Sequence, residues 1–347
     1  VTAEVDESNV DTDVDVSTAN TMRARADESR VKLWILLKAN RLVLTGGLAV
    51  AFFVVFVIGI TVLPPPLIPQ LNNSDTIDTL FSTMISAVIT GVTLVVTISQ
   101  LVLSQENGPL GDQRKRMEDS MDFRDYTEEL VGSPSPADPS AFLRNLIDVC
   151  QERAEAVREE FGDIESDQLR WEVDQFTQSV IGNSEEVREQ LEGGTFGDFD
   201  VTFAALNFNY GWKIFQVERL LHDHEEDLGQ PENELLHELK TALSMFGPAR
   251  EHVKTLYFEW ALTSLSQLIL YAAMPALAVA GIMTVIGEAG TLTGSTLGVE
   301  NIAFLVGVTL TITLLPFFLL VSYVSRIVTL AKRTLAIEPL ILRESQR

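Results

Sequence analysis

The sequence predicts an all-α membrane protein: four transmembrane helices, with a cytoplasmic helical bundle inserted between the second and third. Three observations predict it. Four apolar runs are each long enough to cross a ~30 Å hydrocarbon layer as a helix, and none holds a charged side chain near its centre. Lys and Arg gather beyond one end of every run and are missing beyond the other. Outside the runs, apolar residues recur at helical spacing. No stretch alternates convincingly at period two, so no sheet is expected.

The elements follow in order. Residues 1–22 hold six acids and no base, the opposite of a secretory n-region, and read as a disordered acidic tail. Residues 23–41 are a basic juxtamembrane segment with Arg23, Arg25, Arg30, Lys32, Lys38 and Arg41, and Trp34 lies among them at interface depth. The first hairpin spans 42–105, with crossings at 42–63 and 79–104. Pro64, Pro65 and Pro66 stop the first crossing, because proline cannot continue the hydrogen-bond ladder. Asn107, Gly108 and Pro109 end the second, and Arg114, Lys115 and Arg116 follow.

Residues 106–258 are the acidic helical domain, with 34 acids and 14 bases. Ser133–Pro139 reads as a linker. Helices are expected over 140–162, 166–181, from Asn183-Ser184 to Gly193-Gly194, over 200–227, and over 232–246 ending at Gly247-Pro248. The second hairpin, 259–326, has crossings at 260–286 and 301–325. Tyr257, Phe258 and Trp260 form an aromatic belt at its entry, and Ala272, Ala276 and Ala280 a small-residue seam. Residues 327–347 are a cytoplasmic tail. No Lys or Arg lies between Arg41 and Arg114, nor in the loop 287–300, so both termini are expected in the cytoplasm of a multi-pass cell-membrane protein.

The second crossing carries the most specific pattern. Thr79, Thr83, Ser86, Thr90, Thr93, Thr97, Gln100 and Ser104 follow steps of three and four, which places all eight on one stripe of one helix. The other faces are mainly aliphatic, with Ser82 and Ser99 as exceptions. Such an edge belongs against protein or water. As a pore wall in a homo-oligomer, Ser86, Thr90, Thr93 and Thr97 would line the path with Gln100 near the inner mouth, since hydroxyls replace part of an ion's hydration shell without holding it tightly. As a packing seam, the same hydroxyls would bond to neighbouring helices. Ile98–Leu103 also resembles Leu265–Leu270, either by chance between two apolar segments or as an internal echo that sets Gln100 and Gln267 at similar depth, where they could meet and Gln267 joins the pore-lining candidates. Pro275 and Pro316 sit mid-span, free a carbonyl one turn upstream, and are the hinge candidates.

Several classes are disfavoured. Proton-coupled transport normally uses an intramembrane ionisable group, and a voltage sensor spaced arginines. The net charge of −24, with 49 acids against 25 bases, argues against nucleic acid, whose phosphates need Lys and Arg. Only seven bases are Lys, and an acid-rich, Lys-poor surface resembles proteins of extreme halophiles, where salt screens the self-repulsion. The single cysteine, Cys150, falls on the apolar seam of a helix and reads as a buried inert thiol. The run His222–Asp227, with His237 nearby, lacks a zinc spacing and reads as a solvated helix end. No nucleophile motif, phosphate loop or dinucleotide fingerprint occurs, so neither an enzyme nor a cofactor is expected.

The segment TISQLVLSQENGPLG at 97–111 resembles a pattern in prokaryotic membrane proteins where a Ser/Thr-rich helix ends in Ser-Gln before Gly or Pro. With the acidic composition, the chain resembles haloarchaeal membrane proteins of unknown function. The order of two crossings, a cytoplasmic helical domain and two crossings is similar to the bestrophin anion channels. The aromatic neck of those channels is missing from the second helix, so their selectivity does not transfer. The expected partners are the lipid bilayer and further copies of the chain. The alternative function is a membrane-anchored signalling or scaffold protein that binds a cytoplasmic protein partner through its helical domain.

Overall fold

The computed structural model describes residues 34–62, 74–106, 108–194, 199–286, 294–296 and 298–334. The tails 1–22 and 335–347, most of the basic segment, the proline run Pro64–Pro66 and Glu288 lie outside them. The helices are α1 (Arg41–Val62), α2 (Ser74–Glu106), α3 (Leu110–Val131), α4 (Pro139–Glu160), α5 (Asp167–Leu191), α6 (Phe199–Leu206), α7 (Tyr210–Asp223), α8 (Gln230–Ile286) and α9 (Asn301–Thr334). A π-type turn, Trp34–Lys38, precedes α1. Four helices are long and apolar enough to cross a membrane: α1, α2, α8 and α9. Packing divides the chain into two units, one centred on Met121–Lys254 and one on Glu28–Ser120 with Thr255–Arg333.

The first unit is a helical bundle. Leu143, Ile147, Cys150, Ala154 and Val157 of α4, Leu169, Val173, Phe176 and Val180 of α5, and Leu239, Leu243 and Phe246 of α8 fill its core. Asp138 caps α4 by accepting from the Ala141 amide at 2.9 Å, with Pro139 in the first turn where its missing N–H costs nothing. Ser166 caps α5. The Ser140 hydroxyl donates to the Leu191 carbonyl at 2.7 Å, tying the start of α4 to the end of α5.

Three expectations for this unit are corrected. α3 adds a helix where the sequence predicts no element; its few apolar residues leave only Thr127 buried, too weak a stripe to show in the sequence. Asn183-Ser184 does not start a helix: α5 runs through it, and both residues are buried. The Asn183 amide donates to the Asn207 carbonyl at 3.0 Å and its oxygen accepts from Lys213 Nζ at 2.8 Å, so tertiary partners take the side chain that a cap would use. The segment 200–227 is two helices, α6 and α7, separated at Asn207–Asn209. Gly247-Pro248 does not end a helix either, since α8 continues to Ile286. A Cβ on Gly247 would come within 2.9 Å of the Tyr210 ring, so this glycine serves close packing. Pro248 is exposed, and the carbonyl it frees, on Ser244, is on an exposed residue where water can satisfy it.

The second unit packs α1, α2, the C-terminal part of α8, and α9. Phe81, Ile60, Ala280, Ala303 and Val306 share one core, and Val95, Leu265, Ile269 and Leu319 another. Small residues admit rings: a Cβ on Gly307 would meet the Phe53 ring at 3.0 Å. The expectation of no sheet is corrected by a two-stranded antiparallel ladder, β1 (Ser295–Thr296) with β2 (Val299–Glu300). Two residues per strand are too few to show alternation, and Gly298, at φ +80°, supplies the turn.

Candidate functional site

The candidate site is the hydroxyl face of α2. One face of this helix is packed: Ile77, Phe81, Val88 and Val95 are buried, and Gly91 lies against Phe317. Each hydroxyl-stripe residue from Thr79 to Thr97 stands two positions beyond a residue of the packed face, which is ~200° around a helix. Thr79, Thr83, Ser86, Thr90, Thr93, Thr97, Gln100 and Ser104 are accordingly all exposed. Among the described residues, the stripe is therefore not a packing seam within one copy of the chain.

Neighbouring surfaces make the contrast. α1 exposes Val43, Val50, Val55 and Ile58, α8 exposes Leu270, Met274, Ile282 and Val285, and α9 exposes Val308 and Val321. Those faces suit acyl chains. Among the described residues, α2 alone of the four presents a hydroxyl stripe, with Ile89, Leu94, Ile98 and Leu101 exposed beside it.

The hydroxyl protons are already used. Thr83 donates to the Thr79 carbonyl, Thr90 to Ser86, Thr93 to Ile89 and Thr97 to Thr93, each at 2.8 Å, and Ser86 donates to Ser82 at 3.3 Å. A hydroxyl has one proton and two lone pairs. What the face turns outward is therefore oxygen lone pairs and methyl groups.

The glutamines of the internal echo do not form the contact expected of them. Gln100 and Gln267 are both exposed, and the residues that meet are the serines one position earlier, Ser99 and Ser266, through their hydroxyls. Ser99 lies on the packed side of α2, which is why it stood off the stripe. Pro275 is exposed on α8, whereas Pro316 of α9 faces inward, beside a small apolar void lined by Gly91, Val95, Ile269 and Phe317. One member of the stripe was missed: Asp75, four residues before Thr79 and exposed, continues the same register. The spacing alone would have found it.

Elsewhere, Cys150 is fully buried and its thiol is pushed up to about 12 by burial, against a smaller opposing pull from Lys213. His222 is exposed, and His224 lies between Glu172 and Asp227 at 3.8 and 3.7 Å. Among the described residues no group of three His, Cys, Asp or Glu side chains is placed to hold a metal ion.

Fold and site define an all-α protein with four potential membrane-spanning helices and one hydroxyl-faced helix among them. The chain matches the family of unknown function DUF7972 over residues 7–347 and belongs to that family. No curated protein and no solved structure matches it.

Proposed function

We propose that this protein is the subunit of a homo-oligomeric channel in the cell membrane, with several copies turning the hydroxyl face of α2 toward a common axis. The observation that carries the reading is the contrast of surfaces: α1, α8 and α9 expose aliphatic side chains, while α2 exposes Ser86, Thr90, Thr93 and Thr97 in line. The distribution of Lys and Arg orients both termini, and the acidic helical domain, toward the cytoplasm.

The chemistry of the face favours monovalent cations. Its oxygens are acceptors, their protons being held by the helix backbone, and acceptors replace water around a cation. At the outer end, Asp75, Asp78 and Glu300 are exposed, and the sequence stretches 64–78 and 287–300 contain no Lys or Arg. A ring of such carboxylates concentrates cations at a pore mouth. Gln100 stands near the inner mouth, and Pro316 is the hinge candidate with a void beside it.

The test is flux in reconstituted liposomes. Wild-type protein should pass potassium, with a reversal potential on the cation side, and Thr93→Val, equal in shape but lacking the oxygen, should reduce it. Anion-side reversal would discard the cation assignment, and no flux at all would discard the pore.

A second reading has one observation in its favour. Hydroxyls that bond to their own helix cost less to leave in lipid. On that reading α2 only anchors the chain, and the helical domain acts as a signalling or scaffold module for a cytoplasmic partner. A dimer without flux would favour it.

A further inference from the structure

A group of cations and phenols gathers in the second unit, on residues of the Trp34–Arg41 segment, α8 and α9 that are not part of the hydroxyl face. Arg41, the first residue of α1, is buried. Its guanidinium donates to the carbonyls of Ile35 (3.0 Å), Ala39 (2.7 and 3.0 Å) and Ser322 (3.0 Å). Arg326 of α9 donates to the same Ala39 carbonyl at 2.7 Å. Two nitrogens each 2.7 Å from one oxygen lie within about 5.4 Å of each other, so two positive groups are held side by side. Tyr257 accepts a hydrogen bond from Arg326, and Tyr323 is the fourth member.

The surroundings of Arg41 are informative. Its electrostatic neighbours are Arg326, Tyr257 and Tyr323, and no carboxylate among the described residues pairs with it. Like charges at this spacing, partly out of water, repel, and the carbonyls around Arg41 supply it with dipoles rather than a full negative charge. Arg41 and Tyr257 are buried beneath, while Arg326 and Tyr323 are half-buried and reachable.

Position supplies the second argument. Trp34, at 59% exposed, and Trp260, at 50%, belong to the segments that contribute to the cluster. Exposed tryptophans at the ends of spanning helices mark the headgroup level of a bilayer. Basic pockets between spanning helices at that level take anionic headgroups.

We propose that Arg41, Arg326, Tyr257 and Tyr323 form a binding site for the anionic phosphodiester headgroup of a bilayer lipid. Arg326 and the Tyr323 hydroxyl donate to the phosphate oxygens. Arg41 supplies charge from beneath and fixes the Trp34–Ala39 turn against α9 through the Ser322 carbonyl and the Thr45–Ser322 hydroxyl pair at 2.9 Å. The inference does not rest on the channel reading.

The full-length protein in detergent is titrated with phosphatidylglycerol, with phosphatidylcholine and with inorganic phosphate, and bound lipid is counted by native mass spectrometry. Phosphatidylglycerol should be retained in preference to phosphatidylcholine. Arg326→Gln should weaken its binding about tenfold, the loss of one charge-assisted contact. Arg326→Lys should restore part of the binding, Tyr323→Phe should weaken it less, and Arg114→Gln, an exposed base elsewhere, should leave it unchanged. Each variant's thermal melt is checked first, and Tyr323→Phe serves if Arg326→Gln melts early. Equal retention by the wild type, Arg326→Gln and Tyr323→Phe would overturn the proposal. So would binding of inorganic phosphate without retention of lipid.

Discussion

The ring of Phe317 rests on Gly91: a Cβ at that glycine would meet two ring carbons at 3.2 Å. This contact sits on the packed side of α2, and with Val88 and Val95 it holds the opposite side, the hydroxyl side, outward. Gly91→Val should therefore destabilise the protein by about 1–3 kcal/mol through overpacking. Gly46→Ala, where no atom lies within 4 Å, should cost nothing and gain some helix propensity. Thermal melts in detergent compare the two. A Gly91→Val melt equal to that of the wild type would mean α2 is packed some other way round.

Asn183 links three elements of the helical bundle, donating to the Asn207 carbonyl and accepting from buried Lys213, which also lies 4.9 Å from the Phe208 ring centre. Asn183→Ala removes both bonds and leaves buried polar groups short of one partner each. We expect a loss of about 1–3 kcal/mol in denaturant unfolding. Asn183→Asp keeps the acceptor for Lys213 and should lose less. An alanine variant as stable as the wild type would contradict the buried network.

Acid sensitivity should trace in part to Glu251. Burial pushes its carboxyl up, but the hydrogen bond from Lys254 and the charge and hydrogen bond of Arg250 together outweigh that and hold it below the usual carboxylate range. A carboxylate depressed in the folded state stabilises at every pH above its unfolded value and loses that contribution as pH falls through its folded one. Glu251's contribution to stability should be flat from neutral pH down to the ordinary carboxylate range and fall below it. Glu251→Gln should be less stable at neutral pH and show a shallower acid limb in melts recorded against pH. An unchanged limb would remove Glu251 from the account.

The helices were largely legible because most carry an apolar stripe at helical period, and that period survives in sequence. What was misread is non-local. Asn183-Ser184 and Gly247-Pro248 carry the local marks of helix ends, and packing against Asn207, Lys213 and Tyr210 overrides them. α3 has too little apolar surface to announce itself. The stripe on α2 was readable residue by residue, because spacing fixes relative angle around a helix. Its direction was not, because direction depends on contacts such as Gly91 with Phe317, more than 200 positions away in the chain. The pairing of Ser99 with Ser266 rather than Gln100 with Gln267 follows from the same missing angle. The cluster at Arg41 joins residues up to 285 positions apart, and nothing local signals it.

Cys150, buried and raised to about 12, is the chain's only thiol, so a Cys150→Ser background gives a clean scan. In liposomes, single cysteines at Thr90, Thr93 and, as a packed-side control, Val88 are exposed to a membrane-impermeant thiol reagent while potassium flux is followed. Water behind the hydroxyl face predicts that Thr90→Cys and Thr93→Cys are modified and their flux altered, and that Val88→Cys is untouched. Thr90→Cys and Thr93→Cys left unmodified, with no flux to change, would contradict a water-filled path along α2.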